Sequence, residues 1–119
     1  MADHNELGKR GELLACSFLT KKGYSILETN WRRKRLEIDI IALDGDELVF
    51  VEVKTRTTSI FGEPEEAVTP QKRRHLIQAA NAYVIKSGYD RGSRFDVISI
   101  IIENDNCTIH HIPDAFYPV

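Results

Sequence analysis

Residues 36–56 read LEIDIIALDGDELVFVEVKTR, and the rest of the chain takes its meaning from this stretch. Leu36 to Leu43 and Leu48 to Lys54 are rich in β-branched and apolar residues, which predicts two strands. Asp44-Gly45-Asp46 between them is turn chemistry, because glycine accepts positive φ and aspartate bonds its own backbone. Alternation sends Ile38, Ile40 and Ala42 to one face of the first strand, and Glu37, Asp39, Ile41 and Leu43 to the other. On the second strand Val49, Val51 and Val53 oppose Phe50, Glu52 and Lys54. A two-residue loop pairs Leu43 with Asp46, and a four-residue loop pairs Leu43 with Leu48. Both put Asp39, Glu52 and Lys54 on one face, and the longer loop sets Asp39 directly opposite Glu52. A three-residue loop would break the arrangement.

Two carboxylates side by side in an apolar hairpin repel each other, and burial makes the repulsion worse. A divalent cation removes the conflict, and hard oxygen ligands suit Mg²⁺ or Mn²⁺. Lys54, two residues past Glu52, shares its face, where an ammonium can orient or deprotonate a water or steady a phosphate oxygen. The plainer alternative is a salt-bridged, solvated sheet face, since edge hairpins often carry alternating charge.

The composition sets the frame. A chain of 119 residues predicts one domain over 1–119, large enough for a core. Hydrophobic content of 42% and a charged fraction of 29% are those of an ordinary soluble protein. No apolar run approaches the roughly 20 residues of a membrane span. The polar start MADHNELGKRGE lacks the apolar core of a signal peptide. Cys16 and Cys107 belong to no CxxC, which predicts reduced thiols in a cytoplasm, with Cys16 in the core. The net charge of −2 does not by itself point to nucleic acid, but the basic residues are clustered, as Arg32-Arg33-Lys34-Arg35 and Lys72-Arg73-Arg74-His75.

Outward from the hairpin, residues 6–22 show helical spacing in Leu7, Gly11, Leu14 and Phe18. Gly8 and Gly11 weaken that helix unless a backbone or ligand must come close. Glu12 flanks the apolar stripe and can reach the sheet edge, or pair with Lys9 or Arg10. Residues 24–31 predict a first strand, and the RRKR run a basic turn into the central hairpin. This turn is either a solvated loop or a phosphate contact that relieves its self-repulsion. The polar stretch TTSIFGEPEEAVTP is a loop of 14 residues with Glu63, Glu65 and Glu66 solvated. Thr69 and Pro70 start a second helix that runs to Ser87 and closes at Gly88. Its first turn is basic, against the helix dipole, a conflict that a bound anion reverses. Residues 94–102 and 107–112 predict two more strands, with His110 and His111 on opposite faces and structural. The tail from Pro113 has no regular pattern. The order α-β-β-β-α-β-β implies an α/β protein with a mixed sheet of about five strands flanked by helices.

With the helical glutamate, the acid and the ExK pair in this order, the chain resembles the PD-(D/E)XK nuclease-like superfamily. Within it the chain is similar to the bacterial YraN-like family, which is in turn similar to archaeal Holliday-junction resolvases. The matching residues are Gly8 to Glu12, Asn30-Trp31-Arg32, Glu37 to Ala42, Phe50 to Arg56, Ala67 to Pro70 and Arg94 to Val97. Leu36 departs from the glycine common in that family. The resemblance implies a restriction-endonuclease-like three-layer fold and a metal-dependent endodeoxyribonuclease of DNA repair or recombination. It implies Mg²⁺ or Mn²⁺ held by Asp39, Glu52 and the Val53 carbonyl, with Glu12 completing the site directly or through water. Lys54 would act on the attacking water. Arg56, Gln71 and Lys72 would lie near the scissile phosphate, and Arg32, Arg33, Lys34, Arg35, Arg73 and Arg74 along flanking backbone. It further implies nucleic acid, DNA above all, as partner and a homodimer that cuts paired strands. Two alternatives stand beside the enzyme: a non-catalytic nucleic-acid-binding module retaining the fold, and an interaction domain with an accidental acidic pocket.

Overall fold

A computed structural model of the protein describes residues 4–57 and 68–117, the side chains of residues 4 and 5 excepted. The elements follow as α1 (His4–Lys21), β1 (Ser25–Arg33), β2 (Leu36–Asp44), β3 (Glu47–Arg56), α2 (Pro70–Ser87), β4 (Ser93–Glu103) and β5 (Asn106–Phe116). This is the expected α-β-β-β-α-β-β order. The strands lie in that same order across one sheet. Neighbours are antiparallel except β3 and β4, which α2 joins as a parallel pair.

Apolar side chains from the two faces of the sheet make two cores. Ala15 and Leu19 of α1 pack on Ile40, Ala42, Val49, Val51, Ile98 and Ile100. Leu76, Ala79 and Ala80 of α2 pack on Ile38, Ile41, Phe50, Phe95 and Val97. The result is helix, sheet, helix. The ends of α2 are fixed as the sequence predicts: Lys72 N–H donates to Thr69 Oγ1 at 3.2 Å, Pro70 opens the helix, and Gly88 closes it at φ 73°. In α1 the two glycines differ. A Cβ on Gly11 would lie 1.8 Å from Thr55 Oγ1 of β3, whereas one on Gly8 would meet nothing within 4 Å. Gly11 is therefore where the helix backbone comes down onto the sheet.

The central hairpin takes the Leu43↔Leu48 register and closes one pair further, at Asp44↔Glu47, leaving Gly45 (φ 61°) and Asp46 as the turn. Pairing of β2 with β3 stops at Ile40↔Val51. Beyond that point β2 stays with β1, as far as Arg33↔Leu36, while β3 continues beside β4 to Arg56↔Ile101. The sheet forks there. Alternation fails at the same place: Ile38, expected beside Ile40 and Ala42, packs instead with Ile41 in the α2-side core. The residue facing this break on β1 is Asn30, which lies between Thr29↔Ile40 and Trp31↔Ile38 and takes φ 51°. A left-handed residue inside a strand re-aims the side chains around it, and asparagine tolerates that conformation better than most.

The tail also departs from expectation. Rather than ending at Ile112, β5 runs through Pro113 to Phe116, with a register shift between Phe95 and Val97 of β4 and Asp114 at φ 54°. Phe116 stacks on Phe95 at 4.9 Å between ring centroids, and Asp114 N–H donates to Asp96 Oδ1 at 2.9 Å. These long-range contacts outweigh the proline and hold the strand on. The expected solvated Glu63, Glu65 and Glu66 lie outside the described residues.

Candidate active site

The fork between β2 and β3 brings the predicted acids together. Past the last paired residues, Val53 N–H has no β2 carbonyl opposite it, and the Asp39 side chain takes that place, accepting at 2.8 Å through Oδ2. Glu52, 3% exposed, projects from β3 beside it. Burial, a shared hydrogen bond with Glu52 and the charge of Glu52 push the Asp39 carboxyl up to about 8, against the opposing pull of the Val53 N–H and Lys72. The Asp39–Glu52 pair thus holds a proton more tightly than separate carboxyls would. Glu52 Oε2 is sealed from solvent without a hydrogen-bond partner. Lys72 Nζ lies 3.2 Å from it, close enough for an ion pair but not aligned as a donor.

That ammonium comes from the first turn of α2, not from Lys54. The charge of Glu52 raises the Lys72 pKa in spite of the burial that works against it. Lys54 is half-buried on the Glu52 face, level with Ser99 of β4, and makes no ion pair among the described residues. The Ser99 hydroxyl, 2% exposed, also has no hydrogen-bond partner. Nothing in the sequence marked Ser99, because only the parallel β3–β4 register sets it beside Lys54. Two buried oxygens without hydrogen-bond partners, one on Glu52 itself and one on Ser99 beside Lys54, thus lie at the ExK pair, an uncommon condition for buried polar groups.

Glu12 approaches from α1. Burial and the charge of Asp39 raise its pKa, and a hydrogen bond from Asn30 partly offsets this. It does not close on the other acids: among the described residues no three His, Cys, Asp or Glu side chains gather tightly enough to hold a metal. The donors at the fork are thus the Asp39–Glu52 pair and the neighbouring backbone of Val53, with Glu12 farther out. A buried carboxylate oxygen with no hydrogen-bond partner, balanced only by the half-exposed Lys72 ammonium and set beside a second acid, is a donor set that hard cations such as Mg²⁺ or Mn²⁺ fit.

The predicted basic residues divide. Arg33 and Lys34 in the β1–β2 turn face Gln78, Asn81 and Ile85 of α2 across a cleft of about 430 Å³. Arg35, Arg74 and Gln71 are exposed and Arg56 is half-buried at the end of β3. Arg32 pairs loosely with Glu37 at 3.4 Å. Arg73 is not on the outer surface as expected: its Nε donates to the Val68 carbonyl at 3.2 Å and its guanidinium lies over the Phe116 ring. It ties α2 to the end of β5.

A second polar cluster lies on the α1 face, away from the fork. Asp96, 1% exposed, accepts from Arg94 at 3.0 Å, from His111 at 2.7 Å and from Asp114 N–H. Burial alone would raise its pKa, but these bonds outweigh it and hold the carboxyl below the usual range. Arg94 also donates to Asp44, Glu47 and Tyr24. Lys22 Nζ meets His111 Nδ1 at 2.8 Å. Because an ammonium only donates, Nδ1 accepts and Nε2 carries the hydrogen toward Asp96. His111 is thus structural, as expected, and His110 is exposed.

Residues 11–100 match the model of the family described as "Uncharacterised protein family UPF0102". The chain is 52% identical to a UPF0102 protein of Flavobacterium psychrophilum, over 98% of both chains. It is 49% identical to one of Bacteroides thetaiotaomicron, over 99% of this chain and 98% of that one. It is 48% identical to one of Chlorobium chlorochromatii, over 94% and 92%. The forked sheet, the acid pair within it and near-full-length identity of about one half lead to one assignment: the chain belongs to UPF0102, the YraN-like family of the PD-(D/E)XK nuclease-like superfamily.

Proposed function

We propose that this protein is a metal-dependent endonuclease that hydrolyses phosphodiesters in branched or damaged DNA. The observation that carries this reading is the pairing of Asp39 with Glu52, one oxygen of which is buried without a hydrogen-bond partner. In a fold selected for stability alone such a pair is a liability, because an unsatisfied buried acceptor costs about 1–3 kcal/mol.

Asp39, Glu52 and the Val53 carbonyl would hold Mg²⁺ or Mn²⁺, with Glu12 reaching it through water. When bound, the ion supplies Lewis-acid stabilisation of charge on the phosphate. Lys54 would hold and orient the attacking water on the Glu52 face through its ammonium. Lys72 neutralises Glu52 in the absence of ligand and turns to a phosphate oxygen when one arrives, a charge-assisted contact of the kind phosphates favour. Gln71 and Arg56 flank it. Arg33, Lys34 and Arg74 track the neighbouring backbone with Arg32 and Arg35, and fix register without reading sequence.

A second reading is a nucleic-acid-binding module that does not cleave. It is favoured by Glu12 standing apart from the other two acids and by the pairing of Glu52 with Lys72 rather than Lys54. One panel separates the two. Flap, four-way-junction, single-stranded and duplex DNAs are incubated with Mg²⁺ or Mn²⁺ and wild type, Asp39→Ala or Lys54→Ala. Cation-dependent nicking that both variants lose, with binding retained, supports the enzyme. Binding by all three proteins with no cleavage of any substrate leaves the module.

A further inference from the structure

Between α1 and β1 lies a second cavity, of about 310 Å³, lined by Lys9, Glu12, Leu13, Cys16, Thr29 and Asn30. Its walls are mainly carbon. Leu13 is 74% exposed there, on a helix whose other leucines are covered in whole or in part. An uncovered leucine against a cavity is apolar surface without a partner. Cys16 at the back has its thiol pKa raised by burial and by Glu12, so the wall is chemically inert. Polar side chains complete the lining, among them those of Asn30, Glu12 and Lys9. The Asn30 amide, held in a left-handed strand residue, meets Glu12, and Lys9 also belongs to the lining. Strain of this kind is retained where it positions a functional group.

The cavity adjoins the fork: Glu12 belongs to its lining and lies close enough to Asp39 for their charges to interact. A ligand in it would therefore sit against Glu12, the residue through which the cavity and the fork are electrostatically linked. The volume is near the lower limit of about 300 Å³ for small-molecule sites, so it suits one planar ring system and excludes a duplex. An apolar wall, an amide and a cation in one lining offer the three contacts an unstacked nucleotide uses: ring face, base edge and phosphate.

We propose that this cavity receives a single unpaired nucleobase next to the cleaved phosphate, so that the protein selects DNA with an unpaired or displaced nucleotide over continuous duplex. The proposal rests on the nucleic-acid reading above and narrows its substrate class. An unpaired base has already lost its stacking and pairing, so its entry into the cavity is not opposed by the cost that a paired base incurs.

The test uses the full chain in EDTA, with a duplex carrying one bulged 2-aminopurine and a control duplex in which the same base is paired. The expected result is binding of the bulged duplex about tenfold tighter than the control, comparable to the contribution of one stacked base. The fluorescence should rise on binding, because the cavity lining contains no aromatic ring to quench it. Leu13→Asp and Thr29→Trp change exposed positions and leave both cores untouched. Each variant, with a helix and strand content matching wild type by circular dichroism, should bind the two duplexes equally. Equal affinity and unchanged fluorescence with wild type overturn the cavity proposal and leave the nucleic-acid reading standing, as does a preference that survives both variants. Failure to bind either duplex at low salt overturns both.

Discussion

Asp39 is the residue on which the site turns, and its environment makes an unusual prediction about pH. Its carboxyl ionises near 3.8 when free and near 8 in the folded protein without a cation, through burial and Glu52. Between those values the folded state binds more protons than the unfolded one, so stability falls as pH rises. The melting temperature in EDTA should therefore drop by several degrees from pH 5 to pH 8.5, and Asp39→Asn should flatten the slope. Millimolar Mn²⁺ should raise the melting temperature more at pH 8 than at pH 5, because the ion replaces a proton that is easier to remove at high pH. Differential scanning calorimetry across that range reads both effects. A slope that is unchanged in Asp39→Asn would remove Asp39 from the argument. The same residue illustrates what local pattern can reveal. Two carboxylates and an ammonium at strand spacing were visible in residues 36–56, but the lysine actually touching Glu52 is Lys72, which belongs to another element beyond the hairpin.

At the scale of elements, the contact between α1 and β3 is the most sharply determined. Gly11→Ala would drive its methyl into Thr55 Oγ1, and overpacking of this kind costs about 1–3 kcal/mol. Gly8→Ala, with open space around it, should stabilise α1 by about 0.5–1 kcal/mol. Urea melts of the two variants should move in opposite directions. Equal shifts would mean that helix propensity, not close approach, governs both positions. The basic turn between β1 and β2 carries a second expectation. Removing the charges of Arg33 and Lys34 should reduce the slope of log affinity against log salt by about one unit for each phosphate no longer neutralised, with no change in preference among DNA sequences. An unchanged slope would show that the cleft between the turn and α2 does not touch the DNA backbone. Both elements were legible in the sequence. Their partners were not, because a helix or turn reads locally while the face it meets is set by sheet topology.

Across the whole molecule, the Asp96 cluster joins the α1–β1 connection, β2, β3, β4 and β5 through Lys22, Tyr24, Asp44, Glu47, Arg94 and His111. Asp96→Ala leaves His111 buried without its acceptor and Arg94 with only the Asp44 and Glu47 carboxylates, and breaking a buried pair of this kind costs up to about 3–5 kcal/mol. Because its folded pKa lies below the ordinary value, the stability Asp96 contributes is present at neutral pH and fades as pH falls through the folded value. Chemical denaturation at pH 7 should show the loss, and a change under about 1 kcal/mol would make the cluster ornamental. No helix among the described residues is long and apolar enough to cross a membrane.

The sequence alone determined the order of elements, both ends of α2 and the hairpin turn. These depend on periodicity, capping and turn residues, which act over a few neighbouring positions. Tertiary structure alone decided where β2 parts from β3, the change of face at Ile38, the extension of β5 to Phe116, and the settings of Lys72, Arg73 and Ser99. Each of those depends on an interaction between residues far apart in the chain. No local pattern encodes whether a backbone N–H will find its partner in a strand or, as at Val53, in a carboxylate.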